Sequence, residues 1–213
     1  MTIWFASGNL HKKQEIAALF PGCRIALPGE AGFTFDPEET GADFLENALL
    51  KARALYRRLA DVYPDAAGPV LADDSGLCVD ALGGRPGIYS ARYAGKNGPD
   101  RPAGFPAEKP LEAAERNALL LEELGDAPNR RARFVCAMVL LLEENRFFSV
   151  QETLEGELIH PGGGRGSGGF GYDPIFFLPG RGLTAAELSE EEKNRISHRG
   201  KAARIISKFL EER

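Results

Sequence analysis

Residues 70–77, Val-Leu-Ala-Asp-Asp-Ser-Gly-Leu, constrain the fold more than any other stretch of this chain. The apolar run 69–72 reads as a short buried strand. It halts at two adjacent carboxylates, Asp73 and Asp74, followed by Ser75 and Gly76. Ligands of α/β sheets gather at the carboxyl ends of strands. Successive strand side chains point to opposite faces, so at most one of the two acids aims straight into such a site. Two readings follow. One acid is a hard-metal ligand or general base, since carboxylate oxygens suit Mg²⁺. Alternatively, the segment is an Asp-rich turn closing a hairpin, with Asp73 and Ser75 capping backbone groups, and a second short strand over 77–80. Taken alone, the segment favours the turn.

The flanking sequence sets this strand in an α/β context. Residues 2–6 read as a buried strand, Ser7-Gly8-Asn9 as a turn, and 10–20 as a helix with Ile16, Leu19 and Phe20 inward. Strand, glycine turn and helix together form the arrangement that binds phosphate through helix N-terminal amides. Lys12 in the first helical turn opposes the helix dipole unless an anion lies there. For an isolated lysine, the solvated face is the preferred reading. A short strand is expected at 24–27, then an acidic loop, Asp36-Pro37-Glu38-Glu39-Thr40-Gly41. Asp43 precedes Glu46 by three, a capping-box pair that starts a helix running to about residue 61. Its apolar stripe is Leu45, Ala48, Leu49, Ala52, Leu55, Tyr56 and Leu59. Asn47 and Lys51, four apart, lie beside that stripe, where a solvated polar face is expected.

A helix over 111–124 should bury Ala114, Ala118, Leu121 and Leu124. Residues 131–143 and 146–159 form a hairpin about Glu144-Asn145. The run 134–140 is apolar on both faces and therefore central. Residues 95–110 are rich in Gly, Pro and charge. Residues 161–174 are too glycine-rich to be scaffold. They close on Phe170, Tyr172 and Asp173, which favours a binding loop over a flexible linker. Ser197 caps a terminal helix with Ala202, Ile205, Ile206 and Phe209 inward.

Composition excludes several classes. A net charge of −5 over 213 residues argues against general nucleic-acid binding. No stretch approaches the ~20 apolar residues of a membrane span, and the N-terminus carries no charged leader region. Cys23, Cys78 and Cys136 read as apolar thiols of a reducing cytosol, and scattered His11, His160 and His198 make a zinc site improbable. One domain over 1–213 with a cytoplasmic location is expected.

Six motifs occur in order. They are Ser7-Gly8-Asn9-x-x-Lys12-x-x-Glu15; Glu38-Glu39-Thr40-Gly41 with Phe44-x-Glu46-Asn47-Ala48-x-x-Lys51-Ala52; and Ala72-Asp73-Asp74-Ser75-Gly76-Leu77. Then follow Gly83-Gly84-x-Pro86-Gly87-Ile88-Tyr89-Ser90-Ala91-Arg92-Tyr93, Gly168-Gly169-Phe170-Gly171-Tyr172-Asp173-Pro174, and Ser197-His198-Arg199-Gly200. This ordered set resembles the inosine triphosphate pyrophosphatase family, the dITP/XTP pyrophosphatases, over residues 3–206. The resemblance overrides the bland readings given above. It implies an elongated mixed β-sheet flanked by helices in two lobes with a cleft between them, and a homodimer. It implies Mg²⁺-dependent hydrolysis of an aberrant purine nucleoside triphosphate to monophosphate and pyrophosphate.

By the same resemblance, Ser7, Gly8, Asn9, Leu10, His11 and Lys12 hold phosphates. Asp74 is metal ligand and proton acceptor, Glu38 the second metal ligand, and Ser75 and Lys51 lie near substrate. Phe170, Gly171, Tyr172, Asp173, Lys193, His198 and Arg199 form the base pocket. His11 stands where many members carry Gly, and Leu120 where a Lys is common. Three rival readings remain: a phosphatase with Asp74 as covalent nucleophile, a non-hydrolysing nucleotide sensor, and a related pyrophosphatase acting on pyrimidine nucleotides. The absence of an Asp-x-Asp strand end argues against the first. The presence of Lys12, Glu38 and Asp74 argues against the second.

Overall fold

The computed structural model describes residues 1–63, 68–93 and 111–212. The proline-rich stretch 95–110 lies outside them. Twelve principal elements run in the order β1 (Thr2–Phe5), α1 (Leu10–Leu19), β2 (Arg24–Ala26), α2 (Phe44–Val62), β3 (Val70–Val79), α3 (Ala113–Leu124), β4 (Arg131–Glu143), β5 (Arg146–Leu158), β6 (Phe176–Leu178), β7 (Leu183–Thr184), α4 (Glu190–Ile196) and α5 (His198–Glu211). The strands are ordered β2-β1-β3-β4-β5-β6-β7. Parallel β1–β2 and β1–β3 pairs and antiparallel β5–β6 and β6–β7 pairs make the sheet mixed. The doubly apolar β4 lies at its centre, as its sequence requires. Among the described residues, no helix is long and apolar enough to cross a membrane.

The chain divides into two compact units, each built from more than one segment. The first comprises Met1–Ser75, Cys136–Thr153 and Asn194–Arg213; the second comprises Gly76–Val135 and Leu154–Lys193.

In the first unit, Ile3 and Phe5 of β1, Ile25, Leu71 of β3, and Cys136, Met138 and Leu140 of β4 form one apolar cluster. Ile16 and Phe20 of α1 and Ala202, Ala203 and Ile206 of α5 complete it. These two helices therefore cover one face of the sheet. Each large aliphatic or aromatic side chain sealed there contributes about 1.5–3 kcal/mol.

Several local expectations need correction. The turn at Ser75-Gly76 does not form: β3 runs unbroken from Val70 to Val79, so 69–74 and 77–80 are one strand. Helix cations pair with both aspartates, Lys12 and Arg199 with Asp73 and Lys51 with Asp74, so the chain need not turn out to water. In α2, the buried face is Phe44, Asn47, Ala48, Lys51, Ala52, Leu55 and Leu59, while Leu45 is exposed. The helix is rotated so that Asn47 and Lys51 face inward, because both have buried partners. Glu46 caps the Ala42 N–H at 2.8 Å, one residue earlier than a reciprocal capping box places it. Asp43 accepts from the Glu46 N–H as expected.

In the second unit, α3 buries Asn117, Leu120, Leu121 and Leu124 and exposes Ala114 and Ala118. The larger leucines win the interior. Ile205 of α5 is likewise exposed. The buried Arg130 guanidinium donates to the carbonyls of Gly125, Leu158 and Ile159 at 2.8, 2.8 and 2.6 Å. It ties the end of α3 to the strand entering the glycine-rich loop.

Candidate active site

Alternation along β3 sends the two aspartates to opposite faces of the sheet. Asp73 shares the parity of Leu71 and so lies on the face covered by α1 and α5. There its carboxylate meets Lys12 Nζ at 3.0 Å and the Arg199 Nε and Nη2 at 3.2 Å. Arg199 also pairs with Glu15 and donates to Ser75 Oγ at 2.9 Å. Asp74 faces α2. Its Oδ1 accepts from Lys51 Nζ at 2.9 Å and its Oδ2 from Asn47 Nδ2 at 3.4 Å. Lys51 donates in turn to Glu39 Oε1 at 2.7 Å.

The charges on the two faces differ. Burial alone would push Asp73 up, but Lys12, Arg199 and Lys51 hold it well below the usual carboxylate range. Asp73 and Glu15 raise Arg199 in turn, against the cost of burying it. That face is internally neutralised. On the other face, burial holds the Asp74 carboxyl above its ordinary value and the Glu39 carboxylate adds to the rise, outweighing the pull of Lys51. Lys51 is itself raised because Asp74, Asp73 and Glu39 together overcome its burial. One ammonium thus serves several acids, and the Asp74 side carries a surplus of negative charge.

The sequence places Lys12 in the first turn of α1, and the structure supplies an anion for it in Asp73. Asn9 caps the same helix, accepting from the Lys12 N–H at 3.1 Å. Ser7 Oγ accepts from the Asn9 N–H at 3.1 Å, which orders the turn. Gly8 is exposed, and Leu10 is 65% exposed. A hollow of about 500 Å³ opens beside Ser7 and Gly8, lined by Leu27, Pro28, Phe33 and Phe35. Glu38 is exposed, whereas its neighbour Glu39 is the acid bonded to Lys51. His198 heads α5 and is 7% exposed, behind the Ser197 cap that accepts from the Gly200 N–H at 3.0 Å.

In the second unit, the glycine-rich loop is held, not free. Asp173, 4% exposed, accepts from the Phe170 N–H at 2.7 Å and from Lys193 Nζ at 2.8 Å. Lys193 Nζ lies 4.9 Å from the Phe170 ring centroid, a cation–π contact. Tyr172 donates its hydroxyl to the Ser90 carbonyl at 2.9 Å, and Asn117 donates to the Gly171 carbonyl at 3.0 Å. Gly169 has φ +70°, and a β-carbon there would lie 2.1 Å from Asp173 Oδ2. Gly169→Ala is therefore expected to break the Phe170–Asp173–Lys193 group. We expect kcat/KM to fall at least about tenfold, or about 1.4 kcal/mol, and the melting temperature to fall with it, because Asp173 and Lys193 form a buried ion pair. Steady-state kinetics beside a thermal melt checks this.

The structure thus groups Lys12, Ser75 and Arg199 about Asp73, Lys51 with Asp74, and Phe170 and Lys193 about Asp173. Motif reading left open whether Glu38 or Glu39 is the metal-holding acid and did not assign Glu15, Asn47, Asp73 or Asn117 to the site. For Asn47, the available signal was its spacing of four from Lys51. For Asn117, it was an amide on the apolar side of α3.

The Ham1 family model matches residues 3–209. The chain is 51% identical over 210 residues to the dITP/XTP pyrophosphatase of Treponema denticola, covering 99% of this chain and 98% of that protein. It is 43% identical over 206 residues to the dITP/XTP pyrophosphatase of Escherichia coli, covering 94% and 93%. Among solved structures, a HAM1 protein from Coxiella burnetii aligns over all of both chains with a TM-score of 0.83 and 38% identity. The Staphylococcus aureus Ham1 protein aligns over 100% of this chain and 99% of that one, with a TM-score of 0.81 and 38% identity.

Proposed function

The chain belongs to the Ham1 family, and from that membership we propose that it hydrolyses dITP, ITP, dXTP and XTP to the monophosphate and pyrophosphate. It is a nucleoside triphosphate pyrophosphatase that clears deaminated purines from the nucleotide pool. The observation that carries the chemistry is the division of labour across β3. Asp73 is neutralised by two cations, while Asp74 stands in a surplus of negative charge.

That surplus fits a divalent cation. Among the described residues no cluster of three or more acids, histidines or cysteines could enclose a metal. Mg²⁺ needs none: it usually takes one or two carboxylates, with water and substrate phosphate completing the shell. Asp74 and a carboxylate of the Glu38-Glu39 pair would hold it. When bound, it supplies charge neutralisation on the phosphates and lowers the pKa of bound water.

The protein's own groups do the rest. A triphosphate bears about four negative charges that resist attack, and phosphoryl transfer depends mainly on positioning and charge stabilisation. Lys12 and the amides after Ser7 would bind phosphate oxygens. Lys51 would neutralise charge near the α-phosphorus and fix Asp74 Oδ1. Asp74 would orient the water for attack there, with pyrophosphate as leaving group. In the second unit, Phe170 would stack on the purine, at ~1–3 kcal/mol per base. The Asp173–Lys193 pair would meet its polar edge. A base that left such a buried group unpaired would lose ~1–3 kcal/mol. The homodimer and cytoplasmic location implied by the family complete this reading.

A panel of ITP, dITP, XTP, GTP, ATP and dTTP with Mg²⁺, assayed for both pyrophosphate and orthophosphate, tests it. Pyrophosphate from ITP and XTP well above that from ATP and dTTP is the expected result. Orthophosphate release would instead support a phosphatase, absence of turnover a sensor, and preference for dTTP the pyrimidine-directed reading.

A further inference from the structure

We propose that Asn47 is a positioning residue that locks the Asp74 carboxylate and the acidic loop ahead of α2 against one another. The inference rests on the reading of Asp74 given above and extends it to a residue outside the reacting groups.

Asn47 is 0% exposed in the first turns of α2. Asparagine is a poor helix former, and a buried carboxamide is costly unless both its ends are satisfied. Here both ends are used. Oδ1 accepts from the Gly41 N–H at 2.8 Å, and Nδ2 donates to Asp74 Oδ2 at 3.4 Å. Lys51, one helical turn on and so on the same face, repeats the pattern. It donates to Asp74 Oδ1 at 2.9 Å and to Glu39 Oε1 at 2.7 Å. Each oxygen of Asp74 therefore takes one donor from α2, and each donor has its second contact in residues 39–41. The carboxylate cannot rotate without disturbing the loop, and the loop cannot shift without freeing the carboxylate.

Gly41 shows how close the fit is. A β-carbon there would lie 2.7 Å from Asn47 Oδ1 and 2.9 Å from the Asn47 backbone nitrogen. Only a carboxamide offers a donor and an acceptor in this shape. An ionised aspartate accepts at both oxygens, and leucine of similar size offers neither.

Two substitutions separate the contacts. Asn47→Asp keeps an acceptor for Gly41 and loses the donor to Asp74. Asn47→Leu loses both. With saturating ITP and Mg²⁺, both are expected to lower kcat at least about tenfold while KM stays within about threefold. If Asn47 only tethers the loop, Asn47→Asp stays within about twofold of wild type in kcat and only Asn47→Leu falls, which overturns the proposal. A second readout needs neither metal nor turnover. The ¹⁵N–¹H resonances of the Asn47 carboxamide are compared between the full-length wild type and Asp74→Asn. We expect them to shift on loss of the carboxylate, and unmoved resonances overturn the assignment. This comparison decides the matter if either Asn47 variant fails to fold. Failure of the parent reading is separate: it appears as a wild-type enzyme that releases no pyrophosphate, while the resonance comparison still reports the contact.

Discussion

Asp74→Asn is expected to lower kcat for pyrophosphate release at least about a hundredfold, which is about 2.7 kcal/mol of transition-state stabilisation. In the proposed mechanism the carboxylate would be the group offered to metal and water, and an amide of the same shape accepts at only one atom. The same substitution is expected to leave stability unchanged or to raise it. Burial and the Glu39 carboxylate hold the Asp74 carboxyl above its ordinary value, so its charged form is strained in the fold. A neutral isostere relieves that strain and Lys51 retains Glu39 as a partner at 2.7 Å, which offsets the one donor, from Asn47 or Lys51, that the carboxamide NH2 cannot accept. A charged group kept at a stability cost is a familiar mark of a working site. Kinetics beside a thermal melt tests both halves. A folded variant keeping more than about a tenth of wild-type kcat, a loss under ~1.4 kcal/mol, would remove Asp74 from its role.

Arg199→Met is expected to act in the opposite way, destabilising the fold by about 3–5 kcal/mol as measured by urea unfolding. Removing one partner of a buried ion pair leaves the other charge uncompensated. Arg199 is 3% exposed and Asp73 1%, so water cannot take the place of the lost guanidinium. Asp73 would keep Lys12 but lose the guanidinium, and Glu15 would lose its pair with Arg199. Arg199→Lys keeps the charge but not the fork, and should fall between the two. A loss below about 1 kcal/mol for Arg199→Met would show that the network does not hold this face together. The resemblance assigns Arg199 to the base pocket, whereas its guanidinium is engaged with Asp73 and Glu15. An arginine that reads the purine edge alone would alter the ITP:ATP ratio at constant stability, and the two measurements together separate the roles.

Acid titration offers a further view of the same network. A group whose folded pKa lies below its unfolded value contributes stability that is present above the unfolded value and lost as pH falls through the folded one. Asp73 is held well below the usual carboxylate range. Its contribution is therefore retained through mild acidification and lost only below that range.

Much of this was legible in the chain itself. The strand–turn–helix opening, the capped α2, the doubly apolar β4, the β4–β5 hairpin and the Ser197 cap are local. Each follows from hydrophobic period, turn chemistry or a side chain bonding its own neighbouring backbone, and the ordered motifs named the family. What the sequence could not assign was the partner of each charge. Asp73 and Asp74 are adjacent and chemically identical, and alternation tells only that they part. Their difference arises because α1 and α5 bring Lys12, Arg199 and Glu15 to one face of β3, while α2 brings Asn47 and Lys51 to the other. Those partners stand up to 126 residues away in the chain. The same long-range pairing rotated α2 to bury Asn47 and Lys51 at the expense of Leu45, and kept β3 extended through Ser75 and Gly76 where local preference asked for a turn. Charge compensation is a property of space and not of spacing, and only the tertiary structure decided it.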